Sequence, residues 1–467
     1  MLLPPDFQRL MLQHYGEVQA HSLFQALTDT EPDVSVRLNA AKCNRLPSCI
    51  LPSGSHPVPW CDGAYYLPQR PAFTFDPLFH GGAYYVQDAS SMYLAQALRQ
   101  HFLPHFDSSS APAVLDLCAA PGGKSTLLRS ILPDGAFLLC NEPVAKRTQI
   151  LVENMAKWGH PNVAVTHNYP ADFSPLSHTF DLIVADVPCS GEGMFRKDEQ
   201  AVLEWSLQNV ETCRLRQREI IRSVWPCLKP GGLLVYSTCT FNRYEDEENA
   251  RWIMEELGAD NLPLKADPSW GIVEGNPGCH FFPGQVRGEG FYIAVLRKSD
   301  AEPLRPAVLK ERKSARKKTQ ASALSSQLLA SLPSDFLHQA ETDVCYGVSK
   351  KHVSLVTFLS HHLQLWSKGV HVAQLKGRDW QPAHSLSQTL VLQAESYPQA
   401  ELTYEQALAY LRHENIVVQA PRGFVLVTYR QLPLGFVKNL GNRANNLYPQ
   451  EWRIRSPHTT PFQLFEM

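Results

Sequence analysis

Short, mostly apolar runs separated by helix-length stretches organise the middle of the chain. Residues 114–117, 136–140, 163–165, 181–185 and 232–236 are each of strand length and none alternates cleanly between polar and apolar. Runs of this kind suit strands buried on both faces. Between them, 124–131, 149–158 and 210–228 read as helices. In the last, Val210, Cys213, Ile221, Val224 and Leu228 form one stripe, and Lys229-Pro-Gly-Gly232 ends it. The alternation predicts an α/β fold with a parallel sheet covered on both sides, and 291–296 is a candidate last strand.

The flanks have a different texture. Leu10, Leu12, Tyr15 and Leu23 indicate helices, 34–38 alternates like a strand, and Ser90-Ser91 reads as an N-cap for a helix over 92–98. After residue 298 the chain turns polar. Residues 305–318 hold seven basic side chains (Arg305, Lys310, Arg312, Lys313, Arg316, Lys317 and Lys318) against one acid, Glu311. That run is either a solvated linker or a phosphate-contacting arm. Beyond it, a helix over 404–412 and a strand over 423–429 mark an α+β region. No internal repeat is visible.

Composition narrows the class. A length of 467 residues suggests about three domains. At 44% hydrophobic residues the chain can fill sizeable cores, which excludes wholesale disorder and a disulfide-stapled scaffold. The net charge of −2 excludes a globally basic coat, so any nucleic-acid site must be a local patch. The 11 cysteines are odd in number and form no C-x-x-C pair, which suits a reducing compartment. With no secretory signal at its start and no apolar run near the ~18 residues of a spanning helix, the expectation is a soluble cytoplasmic protein with no membrane partner.

Chemistry concentrates at three strand ends. Asp116-Leu-Cys-Ala-Ala-Pro-Gly-Gly-Lys-Ser125 sits at a strand-to-helix junction, where glycines admit a ligand to the backbone and the helix start supplies N–H donors. A Walker A loop would need glycine at Cys118, and the G-x-G-x-x-G dinucleotide pattern is missing. S-adenosylmethionine fits better. It needs such a turn for its amino-acid end and an acid after the second strand for its ribose hydroxyls, and Glu142 occupies that place. Asp186-Val-Pro-Cys189-Ser-Gly-Glu-Gly193 and Ser237-Thr-Cys239-Thr240 follow two other strands. Ligands of open parallel sheets bind beyond such ends, so both thiols, Asp186 and the glycine turn are expected on one rim. The remaining cysteines read as small buried hydrophobes. No His or Cys cluster has metal-ligand spacing, so no metal is expected.

Together these three motifs resemble the Sun/Nop-type RNA cytosine carbon-5 methyltransferases. Met194-Phe-Arg-Lys-Asp198 and Pro433-Leu-Gly-Phe-Val-Lys438 are similar to the bacterial RsmF-type branch, which acts on small-subunit (16S) ribosomal RNA. The resemblance implies a Rossmann-like class I methyltransferase core, a small α+β N-terminal domain and a C-terminal α+β, PUA-like RNA-binding region. The implied division is 1–106 for substrate positioning, 107–298 for catalysis, 299–325 as a basic linker, 326–385 as a small α+β module and 386–467 as the PUA-like domain.

By the same resemblance Cys239 is the nucleophile, Cys189 serves product release, Asp186 binds the base edge near N3, and Lys124 helps hold the base. Cys118, Ala119, Ala120, Pro121, Gly122, Gly123, Lys124, Glu142, Asn168 and Asp186 are the donor-binding candidates. The family often has Asp after the third strand where this chain has Asn168, so Asn168 is either an adenine contact or an ordinary helix-end polar group. Asp172 is a weaker substitute.

Arg37, Arg196, Lys197, Arg214, Arg216, Arg218 and Arg222 are candidate phosphate contacts, each with a solvated-face alternative. The tail interleaves Tyr448, Trp452, Arg453 and Arg455 in a basic–aromatic pattern. The expected partner is ribosomal RNA or the small subunit. A tRNA substrate, or a non-catalytic RNA-binding assembly factor, is the alternative.

Overall fold

The computed structural model describes residues 2–107, 109–300, 324–456 and 460–466. The basic run at 305–318 lies outside them. The molecule is built on a 10-stranded sheet. Its parallel centre has the order Leu228–Thr238, Phe180–Asp186, Ala113–Asp116, Phe137–Asn141, Val163–Thr166. These are the five runs picked out by hydrophobic pattern.

Their side chains divide between two apolar layers. Val114, Leu138, Leu182, Val184 and Val235 enter one, and Leu115, Leu139, Ile183, Ala185 and Leu234 enter the other. Both faces are therefore covered, and polar alternation would place polar groups in one core. Leu94–His101, Gly123–Ile131 and Ala145–Trp158 contribute to the first layer. Leu207–Val224, Glu247–Leu257 and Val353–His362 contribute to the second.

The sheet departs from the expected pattern at its edges. Phe291–Lys298 does join it, but antiparallel to Leu228–Thr238. At the opposite edge, Leu365–Lys368 pairs antiparallel with Val163–Thr166. That strand belongs to the segment read from sequence as a separate small module, and four residues of mixed polarity give no local sign of it. The helix expected over 210–228 ends at Val224, because Pro226 in the 3-10 turn Trp225–Cys227 has no N–H to continue the ladder. Residues 229–232 lie in the strand that follows.

The N-terminal helix Pro5–Asp29 is interrupted at Gly16. A four-stranded antiparallel sheet follows, in the order His56–Pro57, Ala64–Leu67, Val34–Leu38, Tyr84–Val86. Two more four-stranded sheets complete the C-terminal half. One holds Phe336–Glu341, Val344–Ser349, Val370–Lys376 and Asp379–Pro382; the other holds Gln399–Glu401, Gly423–Tyr429, Leu432–Asn439 and Ala444–Asn446.

Arg37 bolts the N-terminal sheet to the core. It is 1% exposed. Its guanidinium donates to Thr126 Oγ1 (2.6 Å), Ser130 Oγ (3.2 Å) and Gln87 Oε1 (3.1 Å), and lies over the Trp158 ring. Two of these partners sit on Gly123–Ile131, the helix that carries Lys124. Arg37 is therefore a core residue and not a phosphate contact.

Candidate active site

The strand Ala113–Asp116 runs into a turn that feeds the helix Gly123–Ile131. Gly122 caps that helix at φ +116°, a conformation that favours glycine, and a Cβ there would meet Asn154 and Leu151 at 3.4 Å. The turn is held from outside. Ala119 N donates to Asn141 O (2.8 Å), Asn154 Nδ2 to Pro121 O (2.8 Å), and Arg147 Nη2 to Ala120 O (2.8 Å).

Asp116 lies buried beneath the turn. Its Oδ2 accepts from Ser125 Oγ (2.6 Å), and its Oδ1 has no partner. Burial pushes this carboxyl up to about 7, with Ser125 and Lys124 pulling the other way. A glycine turn at a helix start, with a buried carboxyl beneath it, suits the amino-acid end of S-adenosylmethionine, so the residues present fit that donor.

The raised Asp116 has a consequence for stability. Its folded value lies above the ordinary 3.8, so the protonated form is favoured in the fold, and this contribution is lost as pH rises from about 4 through about 7. Asp116→Asn is expected to remain neutral throughout. The wild-type minus variant difference in thermal midpoint should therefore fall across that window. A pH-independent difference would show that Asp116 does not titrate there.

Glu142 and Asn168 follow the second and third strands. Glu142 is buried; its Oε1 accepts from Val144 N (3.0 Å), and its Oε2 lies 3.5 Å from Arg147 Nη1. Asn168 is more committed. Its Oδ1 accepts from Thr166 Oγ1 (2.6 Å) and Gln364 N (2.8 Å), and its Nδ2 donates to Asp172 Oδ2 (3.0 Å). The side chain thus joins the third strand to the segment leading into Leu365–Lys368. Asp172 is occupied as well, accepting from Tyr169 N (2.9 Å).

The two thiols meet across neighbouring strand ends. Asp186 and Ser237 pair in register, so the loops beyond them are adjacent. Cys189 Sγ and Cys239 Sγ are 3.0 Å apart and both cysteines are free. Asp186 accepts from Ser237 Oγ at Oδ1 (2.8 Å) and pairs with Lys124 Nζ at Oδ2 (2.8 Å). Burial opposes the Lys124 charge, but Asp186, then Asp116 and Cys239, outweigh it and raise the ammonium above the ordinary lysine range. The Cys189 thiol is raised as well. The Cys239 sulfur, then burial and Glu245, push its thiol well up, so Cys189 keeps its proton. Cys189 Sγ also accepts from Cys239 N (3.3 Å), and Cys239 is the sulfur that helps raise the Lys124 ammonium.

A buried carboxylate scaffold supports this pair. Glu192 Oε2 accepts from Thr240 Oγ1 (2.9 Å), Phe241 N (2.7 Å) and Asn242 N (3.0 Å), while its Oε1 accepts from Asn242 Nδ2 (2.9 Å) and Trp205 Nε1 (3.0 Å). Glu245 accepts from Ser190 N (3.0 Å), Gln217 Nε2 (2.7 Å) and Asn242 Nδ2 (2.8 Å). Burial, then Glu192, pushes Glu245 up to about 7. Thr238 Oγ1 donates to Asp246 Oδ1 (2.5 Å). Gly193 N donates to Cys239 O (2.8 Å), and a Cβ at Gly193 would lie 2.9 Å from that oxygen.

None of Glu192, Asn242 or Glu245 stood out in the sequence, although Glu192 lies inside the quoted Cys189 motif. The fold also gathers Asp246, Glu247 and His280, whose ligand atoms lie within 4.8 Å of one another. His280 presents Nδ1 to Asp246 (3.8 Å) and Nε2 to Glu247 (3.1 Å). Two different nitrogens face the two acids, an arrangement of a histidine bridging carboxylates.

Most of the candidate phosphate-binding cations are engaged. Arg196 is buried and paired with Glu289 (3.0 Å), and Lys197 reaches the same acid (3.3 Å). Arg214 pairs with Glu211, Arg218 donates to Asn249, and Arg218 and Arg222 lie over the Trp252 ring. Arg216, Arg453 and Arg455 are exposed.

Comparison with known proteins identifies the family and the fold. Residues 105–297 match a family model described as 16S rRNA methyltransferase RsmB/F. Residues 3–89 match the N-terminal domain of 16S rRNA methyltransferase RsmF, and 397–454 match the methyltransferase RsmF PUA domain. The chain is 32% identical over 449 residues to ribosomal RNA small subunit methyltransferase F of Salmonella agona, covering 89% of each chain. It is 32% identical over 462 residues to the protein of the same name from Cronobacter sakazakii, again with 89% coverage of each. Among solved structures, a methyltransferase homolog from Pyrococcus horikoshii shares the fold over 63% of this chain and 100% of its own, with 24% identity and a TM-score of 0.50. NSun6 from the same organism, solved with SFG, aligns over 63% of this chain and 98% of its own, with 18% identity and a TM-score of 0.50.

Proposed function

The chain belongs to the RsmF-type branch of the RsmB/F family of S-adenosylmethionine-dependent RNA methyltransferases, and we propose that it methylates carbon 5 of cytosine in small-subunit rRNA through a covalent adduct on Cys239. The observation that carries this reading is the 3.0 Å approach of the Cys189 and Cys239 sulfurs beside the Lys124–Asp186 pair.

Cytosine carbon 5 is a poor nucleophile. Addition of the Cys239 thiolate to carbon 6 turns the ring into an enamine-like adduct whose carbon 5 can be methylated. S-adenosylmethionine supplies the electrophilic methyl group. The 118–124 turn and Glu142 would hold it. Lys124 supports the thiolate electrostatically. Asp186 is placed to hold a proton at the N3 edge, where negative charge collects as the Sγ–carbon bond forms.

After methylation a water molecule takes the carbon-5 proton, the electrons of that bond re-form the carbon 5–carbon 6 double bond, and the Cys239 Sγ–carbon 6 bond breaks. Cys189, which keeps its thiol proton, donates a hydrogen bond to the departing sulfur. That is a physical basis for a release role. The target base must leave its stack to reach Cys239. The N-terminal sheet and the segment matching the PUA domain serve to position the RNA.

The test is methyl transfer from labelled donor to small-subunit rRNA, offered naked and in immature subunits, with bisulfite sequencing of total RNA from a deletion strain. One or more small-subunit cytosines should lose protection in that strain. Loss confined to tRNA would transfer the activity to that substrate.

A further inference from the structure

A cavity of about 560 Å³ lies between the helix Ala145–Trp158, the strands Leu365–Lys368 and Val370–Lys376, and the segment 447–452. Its size is that of a site for a nucleotide-sized ligand. Rings of Tyr346, Trp366, Tyr448 and Trp452 form part of its wall. The lining side chains Lys376 and Glu451 are both exposed, so these charges sit at its rim.

The polar groups further in are uncharged. Gln374 and Gln381 offer amides. His384, 8% exposed, has no hydrogen-bond partner at either ring nitrogen, and His371 Nε2 is likewise buried without one. Burial pushes His384 down to about 3 and His371 to about 4, so both are neutral imidazoles near pH 7, each with one donor and one acceptor. Unpaired buried groups of this kind are costly unless a ligand or water completes them. The His384 ring packs edge-on against Tyr448 (5.1 Å) and Trp452 (5.2 Å), which fixes its direction.

Flat aromatic walls with neutral donors and acceptors select a planar, polar, uncharged heterocycle. The Gln374 and Gln381 amides supply such donors and acceptors. A nucleobase is such a heterocycle. Trp366 also connects the cavity to the donor site. Its ring lies 5.2 Å from that of His167, whose Nδ1 is 3.1 Å from Glu142 O.

We propose that this cavity receives an unstacked base of the RNA substrate, separate from the target base at Cys239. The proposal rests on the reading of the chain as an RNA methyltransferase.

The test uses the full-length protein and small-subunit rRNA. Zero-length ultraviolet crosslinking followed by peptide mapping should place bases on the peptides containing Trp366 or Trp452. Ser385→Trp, which fills the cavity, should remove those crosslinks and raise KM for rRNA roughly tenfold, with kcat and the KM for S-adenosylmethionine unchanged. His371→Phe keeps the ring and removes the nitrogens, and should raise the same KM in a protein of normal thermal midpoint. Crosslinks that avoid these peptides, or wild-type KM in both variants, would overturn the proposal. So would a cavity that binds free nucleoside monophosphates, sensitive to Ser385→Trp, while RNA never crosslinks there. If the wild-type protein methylated no rRNA, the functional reading would fail, and the crosslink map would still decide the cavity's occupant.

Discussion

Cys239→Ala is expected to lower methyl transfer to small-subunit rRNA by about 10⁴-fold or more, the scale on which loss of a covalent nucleophile acts. That is about 5.5 kcal/mol of transition-state stabilisation. The variant should form no RNA complex that survives denaturing electrophoresis. Donor binding, measured by calorimetric titration, should stay near wild type, because the glycine turn and Glu142 do not depend on this sulfur. Cys189→Ala should give a different defect. Its loss leaves the nucleophile and the Lys124 ammonium in place but removes the thiol 3.0 Å from the departing sulfur. Addition and methylation then proceed while release slows, so a denaturation-resistant RNA adduct accumulates. Turnover retained in Cys239→Ala would remove the nucleophile assignment. An adduct in neither Cys189→Ala nor wild type, with turnover lost in both single variants, would count against the division of roles.

The candidate site was legible in sequence because its residues sit at strand ends within short motifs. The parallel sheet follows from five runs with no polar alternation, whereas the adjacency of Asp186 and Ser237 is set by the strand order, which puts Leu228–Thr238 beside Phe180–Asp186. What was not legible is non-local. Leu365–Lys368 carries no strand signal strong enough to reveal that it extends the catalytic sheet, and its partner, Val163–Thr166, is about two hundred positions away in the chain. That pairing changes the reading of Asn168, whose side chain spends its oxygen on Thr166 and Gln364.

Arg37 and Arg196 show the same limit for charge. A basic residue in sequence looks like a phosphate contact until burial and a partner are known, and both are interior groups here. The acidic side is the mirror case. Glu192 and Glu245 resemble solvated acids in sequence, yet both are fully buried and organise the loops of the two cysteines.

Glu192 therefore carries the second large expected effect. Five donors converge on its carboxylate, and four of them belong to Thr240, Phe241 and Asn242, the residues that follow Cys239. Glu192→Ala would leave several buried donors unpaired, each worth about 1–3 kcal/mol. The site can relax and admit water, so the expected net loss is about 3–5 kcal/mol of unfolding free energy, the range for breaking a buried charged network. Glu192→Gln keeps the shape but replaces one acceptor oxygen with an NH₂ that faces other donors, so it should be destabilising too, by a smaller amount.

The effect on chemistry should be larger than on donor binding. The Cys239 loop loses its anchor, and a displacement on the order of 1 Å at a nucleophile costs about 10²-fold in rate. Urea unfolding followed by circular dichroism, together with single-turnover methyl transfer and donor titration, separates the three readouts. In Glu192→Gln, kcat should fall about 10²-fold with donor affinity near wild type. Wild-type stability and kcat in that variant would mean that the loop is held by Gly193 and the Asp246–Thr238 contact, and that Glu192 is dispensable to the nucleophile's position.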